Sequence, residues 1–161
     1  MLQFFTKEKK GFTLIELLVV IAVIGLLSSI VLVQLGPVRQ DARNKRRMQD
    51  FAQIASAMDL CRYEAGCGEG EDLFIKSATM PSTIGTFMSS LAIDPTNTSP
   101  HVYTWVSNVP PVTTPPTPFS NKYCIYTKLE PAASDKYLCV SEAGVREKAT
   151  ATAPGVGSCC Y

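Results

Sequence analysis

The chain has 161 residues, of which 46% are hydrophobic and 18% charged, and its formal net charge is +1 at pH 7. This length leaves room for one modest globular domain beside an apolar segment. The near-neutral charge argues against a general nucleic-acid binder. The single histidine, His101, lies beside Pro100 with no serine or cysteine arranged near it as a nucleophile, and no phosphate-binding loop is present. We therefore expect no catalytic residues and a protein that is not an enzyme.

An apolar stretch runs from Phe12 to Leu35 and is interrupted by a single charge, Glu16. Its 24 residues would span about 36 Å as a helix, which is enough to cross a bilayer with some tilt. A secretory signal peptide has a shorter apolar region with a small-residue cleavage site at its far end, so this segment is too long and bulky for one. A plain signal anchor explains the length but not the acid inside it.

Glu16 lies five residues after Gly11, within the apolar stretch. A carboxylate in hydrocarbon costs about 2.5 to 3.5 kcal/mol at mid-membrane, so it needs a partner or a function, and in the uncut chain we expect no partner. A cut between Gly11 and Phe12 would give Phe12 a free α-amino group, with an ordinary pKa of about 8. We expect Glu16 of one copy to pair with that amine on another copy.

Residues 10–16, with the sequence KGFTLIE, resemble the class III signal of type IV pilins and type II secretion pseudopilins. The resemblance implies that a prepilin peptidase cuts after Gly11 and methylates the new amine of Phe12. It also implies that Phe12, Glu16 and Gly25 are assembly residues, the last lying where pilins often carry a helix-loosening glycine. Residues 1–11 are then a cytoplasmic leader that is removed, and residues 12–35 a transmembrane and assembly helix.

Residues 36–66 are expected to continue this helix as an amphipathic segment, because Met48, Phe51, Ala55 and Met58 recur at helical spacing. Many pilins carry a proline at the position of Val33, whereas this chain has Gly36-Pro37 slightly further on. A proline removes a helical hydrogen bond and clashes with the preceding turn, so we expect a joint, bent or melted, at Gly36 and Pro37. The helix should stop around residues 65–70, where glycines are frequent.

A basic band follows the apolar stretch and consists of Arg39, Arg43, Lys45, Arg46 and Arg47, outweighing Asp41 and Asp50. Charge runs of this kind are usually solvated, and we interpret the band as a solvated face of the helix. The alternative is that the band neutralises acidic groups on neighbouring filament subunits, or phospholipid headgroups before the chain leaves the membrane.

The rest of the chain predicts a β-rich head, because β-branched and aromatic residues favour strands over residues 102–106, 123–128 and 136–141. The last two should form a hairpin around a turn at residues 129–135. Residues 109–118 contain five prolines and should form an exposed loop, and residues 142–161 a poorly regular tail. The expected fold class is α+β and pilin-like, with residues 67–161 as a disulfide-containing head packed on the long helix.

All six cysteines lie beyond the apolar segment, which favours disulfides in an oxidising compartment; they are Cys61, Cys67, Cys124, Cys139, Cys159 and Cys160. No CxxC pair exists, which disfavours zinc binding and redox catalysis. We prefer a bridge from Cys61 to Cys67 across the helix end. Cys124 or Cys139 is expected to pair with one of the two terminal cysteines. A cross-strand bridge between Cys124 and Cys139 is equally compatible with the hairpin.

Two polar loops offer oxygen donors of the kind that calcium binds: Glu71 and Asp72 in the glycine-rich stretch, and Asp94 and Asn97 further on. The resemblance implies calcium in a C-terminal loop, since major pseudopilins bind it there. No EF-hand spacing is present, and ordinary solvated turns have the same composition, so calcium binding and solvated turns both stay open. No other cofactor is expected.

Together these features predict a single-pass precursor in the cytoplasmic membrane that becomes a subunit of an extracytoplasmic filament, either a type IV pilus or a type II secretion pseudopilus. The partners implied by the resemblance are copies of the same chain, the prepilin peptidase, a membrane assembly platform and, before assembly, the lipid bilayer. No specific nucleic acid is expected. The alternative is an anchored binding module for adhesion or DNA uptake, which would keep its leader and would not polymerise.

Overall fold

The computed structural model describes residues 11–64, 67, 73–107, 122–155 and 159. One helix, α1 (Leu14–Arg62), is followed by four strands, β1 (Thr104–Val106), β2 (Cys124–Lys128), β3 (Lys136–Ser141) and β4 (Gly144–Ala149). The α+β class predicted from the sequence is confirmed. The chain divides into two compact units, Met1–Arg39 and Gln40–Tyr161. The predicted proline-rich loop lies outside the described residues.

The first unit holds the apolar part of α1. By length and composition, α1 is the one helix in the described residues that is apolar enough to cross a membrane, and its most apolar window has no buried residue. The helix continues through Gly36 and Pro37 without interruption, so the chain is not melted at the expected joint. Proline removes one N–H donor, and the helical assignment persists on both sides of that position.

In the second unit, α1 buries one face in the core of the head. Phe51, Ile54, Met58 and Cys61 have no exposed surface and recur at three- and four-residue spacing, as an amphipathic helix requires. The helix ends at Arg62, slightly before the expected stop. There the amide of Tyr63 donates to the carbonyl oxygen of Leu60 at 3.2 Å, a tight closing turn typical of helix ends.

The sheet is an antiparallel meander in the order β1-β2-β3-β4. Its register places Trp105 opposite Ile125 and Ile125 opposite Val140, so these three side chains follow one line across the sheet. Side chains alternate between faces along a strand, which gives the sheet two buried surfaces. One packs with α1 and contains Phe51, Ile54, Met58, Phe74, Tyr123, Ile125, Leu138 and Val140. The other is a smaller cluster of Cys124, Cys139 and Cys159.

The prediction of an irregular tail after residue 142 is wrong over Gly144–Ala149, which forms the edge strand β4. Its sequence, GVREKA, has one β-branched residue and three charges, a composition that natural edge strands use against unwanted pairing but that hides the strand from a propensity argument. The turn before it is formed by Gly144 at φ 89°, a conformation that glycine adopts without steric cost. Strand β1 begins at Thr104, two residues later than predicted.

Candidate functional site

The predicted cleavage junction is an exposed segment just before α1. Gly11, Phe12 and Thr13 precede the first helical residue, and the side chain of Phe12 is 92% exposed. A Cβ atom placed on Gly11 would meet no atom within 4 Å, so the chain's own packing does not require glycine there. Any requirement for glycine at this position must therefore come from another protein that handles the junction.

The N-terminus of α1 is closed by a capping box formed by Thr13 and Glu16. The Thr13 amide and hydroxyl donate to Glu16 Oε2 at 2.8 and 2.7 Å, and the Glu16 amide donates to Thr13 Oγ1 at 3.3 Å. Such a box satisfies backbone donors that the first helical turn leaves without partners.

Glu16 therefore has a hydrogen-bond partner in the uncut chain, contrary to expectation, whereas its pairing with the Phe12 amine of another copy stays a prediction. Its carboxylate already accepts two hydrogen bonds from Thr13, three residues earlier. The reason is local: a threonine followed three residues later by a glutamate, just before an apolar run, is the sequence signature of a capping box. Residues Thr13 and Glu16 carry this signature in the sequence itself.

The apolar surface of α1 around this site has no partner within the described chain. Leu17, Leu18, Ile21 and Ile24 expose between 55% and 63% of their surface. Gly25 has no atom within 4 Å of a Cβ built on it, so its lack of a side chain leaves space on the outer surface of the helix. The Ser29 hydroxyl donates to the carbonyl oxygen of Leu26 at 2.7 Å, which satisfies a polar group that a bilayer would not solvate.

Two disulfides join cysteines that the sequence singled out. Cys61 is bonded to Cys67, the bridge preferred for the helix end, and Cys124 is bonded to Cys159. Cys139 is also disulfide-bonded. The alternative bridge between Cys124 and Cys139 is not formed. Cys124 lies opposite Ser141 and Cys139 opposite Tyr126, so these two cysteines are diagonal neighbours and do not face each other.

A buried ion-pair cluster in the head has Arg47 at its centre. The guanidinium donates from Nε and Nη2 to the two oxygens of Asp94, at 2.7 and 2.9 Å, and both side chains have no exposed surface. It also donates to Thr96 Oγ1 at 2.7 Å and to Glu130 Oε1 at 2.9 Å. A planar guanidinium matches a carboxylate in this two-pronged geometry better than a lysine would.

Arg43, one helical turn earlier, extends the cluster to the turn between β2 and β3. Its Nε donates to Glu130 Oε1 at 2.7 Å, and its Nη2 pairs with Glu130 Oε2. The Asn44 side chain forms hydrogen bonds with both backbone groups of Glu130: it donates to the carbonyl oxygen at 2.8 Å and accepts from the amide at 3.0 Å. These contacts tie the helix to two separate loops of the head.

The cluster controls the titration of both acids. Burial raises the pKa of Asp94, but the hydrogen bonds from Arg47 and Thr96 outweigh it and hold this pKa at about 2. The hydrogen bond from Arg43 lowers the pKa of Glu130 to about 2, against the effect of burial and with help from Arg47. Both carboxyl groups are therefore ionised across the physiological range and fix the positions of the two arginines.

The interpretation of the basic band as a solvated face is wrong for two of its members. Arg47 is fully buried, and Arg43 is partly covered by its pair with Glu130. Lys45 pairs with Asp41 at 3.1 Å on the helix surface. Arg46 is exposed, as the sequence predicted. Sequence reasoning missed the ion-pair cluster because the acids lie 47 and 87 residues away from their arginines.

Among the residues that the structure describes, no group of three or more histidine, cysteine or acidic side chains is gathered around a metal position. Asp94, a calcium candidate, accepts hydrogen bonds from Arg47, Thr96 and the amide of Asn97. An arginine therefore occupies the position beside Asp94 that a cation would need. Glu71 and Asp72, the other acidic candidates, lie outside the described residues, and calcium binding there stays a prediction.

Comparison with known proteins agrees with the geometry of the N-terminal segment. The family model described as the prokaryotic N-terminal methylation motif matches residues 6–32. This segment of the chain therefore carries the prokaryotic N-terminal methylation motif. The matched stretch includes the exposed Gly11–Phe12 junction, the capping box and most of the apolar stretch.

Two relatives are similar over less than half of the chain. The type IV major fimbrial protein FimA of Dichelobacter nodosus is 37% identical over 67 residues, covering 42% of each chain. The type II secretion system core protein G of Escherichia coli (strain K12) is 28% identical over 80 residues, covering 47% of this chain and 55% of the relative. The chain spans about half the length of the curated relatives it matches. Neither name is that of an enzyme. No solved structure matches.

Proposed function

We propose that this chain is a structural subunit of a type IV pilus or of a type II secretion pseudopilus, and that it polymerises through α1. The observation that carries the proposal is the position of Glu16: one acid at the start of the exposed apolar part of α1, just after an accessible junction that lies within a methylation motif. An acid at that position is costly in a membrane unless it has a function there.

Processing is the first step that we propose. In the precursor, α1 crosses the cytoplasmic membrane with residues 1–11 on the cytoplasmic side. A prepilin peptidase hydrolyses the peptide bond between Gly11 and Phe12, and the new amine of Phe12 is methylated. The exposure of both residues supports this step, because a peptidase needs an accessible, non-helical backbone.

Assembly is the second step. The capping box holds Glu16 while the chain is in the membrane, and cleavage then places a cation on Phe12, beside the cap. We propose that Glu16 pairs with the Phe12 amine of an adjoining copy. A wrong stagger leaves a carboxylate without its counter-charge in a poorly solvating environment, and this penalty selects the correct one.

Helix packing supplies most of the cohesion. In lipid the apolar side chains of α1 gain little by meeting each other, so close packing at small residues such as Gly25 is the main attractive term. Outside the membrane the same surface would face water, at a cost of about 25 cal/mol per Å². A finished extracytoplasmic filament is therefore stable against dissociation. A membrane assembly platform that extracts the subunits is an implied partner.

Intact-mass measurement of the mature protein tests processing. We expect the loss of residues 1–11 and the gain of one methyl group when the chain is expressed with a prepilin peptidase. Gly11→Glu should block the cut, while the fold itself has space for a side chain at that position. A mature protein that keeps its leader and stays monomeric would instead fit an anchored binding module.

Two substitutions at Glu16 separate pairing from capping. Glu16→Ala removes the charge and the cap, whereas Glu16→Gln keeps an amide oxygen that can accept the Thr13 bonds but carries no charge. We expect both variants to insert in the membrane and neither to form filaments. Wild-type filament yield from Glu16→Gln, measured by shearing and electron microscopy, would show that the cap suffices and would refute charge pairing.

A further inference from the structure

The four basic residues between positions 43 and 47 have different electrostatic partners. Arg43 and Arg47 are neutralised by Glu130 and Asp94, and Lys45 by Asp41 one turn earlier. Arg46 is exposed and forms no ion pair with any residue that the structure describes. Between positions 43 and 47, Arg46 is therefore the one basic side chain without a counter-charge among the described residues, and the charges that flank it are already paired.

Two exposed acids lie near the far end of the same helix: Asp59 in its last turn and Glu64 two residues after its last residue, with Arg62 between them. Asp59 and Glu64 are exposed, and neither forms an ion pair within the described part of the chain. Asp59 follows Arg46 by 13 residues, which is about 20 Å along a helix with a rise of 1.5 Å per residue. At 3.6 residues per turn the two side chains also point to different sides of the helix. One copy cannot join these charges by itself.

We propose that Arg46 of one copy binds two acids, Asp59 in the last turn of α1 and Glu64 just beyond it, on a second copy that lies parallel and is displaced along the helix axis. This inference rests on the proposed polymerisation and names the head surface that takes part in it. Two different patches on different sides of one helix make a head-to-tail contact, which repeats indefinitely and suits a filament. Charge complementarity also opposes wrong neighbours, because like charges would then face each other.

A second copy fits this surface better than lipid headgroups do. Phosphate groups would satisfy Arg46 but would leave Asp59 and Glu64 without a counter-charge, and an anionic bilayer would repel them. One contact with another copy of the chain neutralises both patches, Arg46 on one copy and Asp59 with Glu64 on the other. Every copy carries one patch of each sign, so neither is left over. The axial separation of the patches also sets a displacement between copies, whereas a membrane surface sets none.

Charge reversal tests the contact in the mature chain, from which the peptidase has removed residues 1–11. Arg46→Glu should lower the yield of sheared filaments about tenfold or more, because an attraction becomes a repulsion at every contact. Adding Asp59→Lys and Glu64→Lys to the same chain should restore the yield. The matched control is Lys45→Glu, the same change of charge at the adjacent residue, whose partner Asp41 lies in its own chain; it should assemble as the wild type does. Near-ultraviolet circular dichroism confirms the folding of each variant.

The outcomes distinguish this inference from the proposed function. If the wild type forms no filaments when processed, polymerisation itself fails. If the wild type assembles and Arg46→Glu assembles equally well, the Arg46 contact is refuted and the proposed function stands. If Arg46→Glu loses filaments but reversal of the two acids does not restore them, Arg46 meets a different group and the inference is overturned. Flotation of the wild type and of Arg46→Glu with anionic vesicles then shows whether that group is a lipid phosphate.

Discussion

Replacement of Arg47 by methionine should severely destabilise the head. Methionine has a similar length and fills much of the same space, but it removes the guanidinium and leaves Asp94 as a charge with no exposed surface and no counterion. Removing one partner of a buried ion pair typically costs about 3 to 5 kcal/mol, far more than the pair itself contributes to stability.

The structure supports the upper part of that range. Arg47 makes five hydrogen bonds, to Asn44, Asp94 (two), Thr96 and Glu130. Native domains of ordinary stability unfold with about 5 to 15 kcal/mol, so the substitution removes a third or more of the total. For a loss of about 4 to 5 kcal/mol, at about 4 °C per kcal/mol for a domain of this size, the melting temperature should fall by about 16 to 20 °C.

Thermal unfolding of the detergent-solubilised full chain, followed by the near-ultraviolet signal of the buried Trp105, measures this effect. The matched control is Arg46→Met, which changes the adjacent exposed arginine and should stay within about 0.5 kcal/mol of the wild type. If Arg47→Met melts within about 2 °C of that control, the reasoning from the buried pair is refuted. The double variant Arg47→Met, Asp94→Leu removes both charges and should be more stable than Arg47→Met alone.

Two other predictions concern the acids of the structure. The pKa values of Asp94 and Glu130 are lowered to about 2 from ordinary values of 3.8 and 4.5, so the stability that they contribute is complete above about pH 5 and is lost as the pH falls towards 2. Urea unfolding at several pH values measures it, and a flat profile between pH 5 and 2.5 would contradict the pairing. Thr13→Val removes the hydroxyl oxygen that accepts a hydrogen bond from the Glu16 amide, so hydrogen exchange of that amide in micelles should accelerate about 5- to 30-fold. An unchanged rate would show that the capping box is not formed in solution.

The elements found from the sequence are those with a local pattern. An apolar run, a helical periodicity around Phe51 and Met58, and two aromatic strands each carry their signal within a few residues. The sequence does not predict strand β4, because it is an edge strand in which half of the residues are charged. Its pairing with β3 decides its conformation more than its own strand propensity does.

The buried ion-pair cluster around Arg47 was not predicted from the sequence for a different reason. The sequence shows that Arg43 and Arg47 are charged, but not which of the acids far along the chain will fold against them. The spacing of four residues does place both arginines on one face of the helix. Phe51 follows Arg47 by four residues and is buried, so it lies on the same face of the helix. Two arginines on the same face as an aromatic core residue are the sequence feature that indicates that these charges point inwards.

If the chain is processed as we propose, the capping box explains how one carboxylate can serve both before and after the cut. Within the precursor, the bonds from Thr13 satisfy Glu16 by contacts that any copy makes alone, so they carry no information about a neighbour. Removal of the leader adds a cation one residue before Thr13, and only then does the arrangement of copies affect the electrostatic energy of the acid. Because the charge that specifies the stagger does not exist until the cut is made, precursors with intact leaders should not bind one another through Glu16. Proteolysis would thus control the timing of assembly and its register through the same residue.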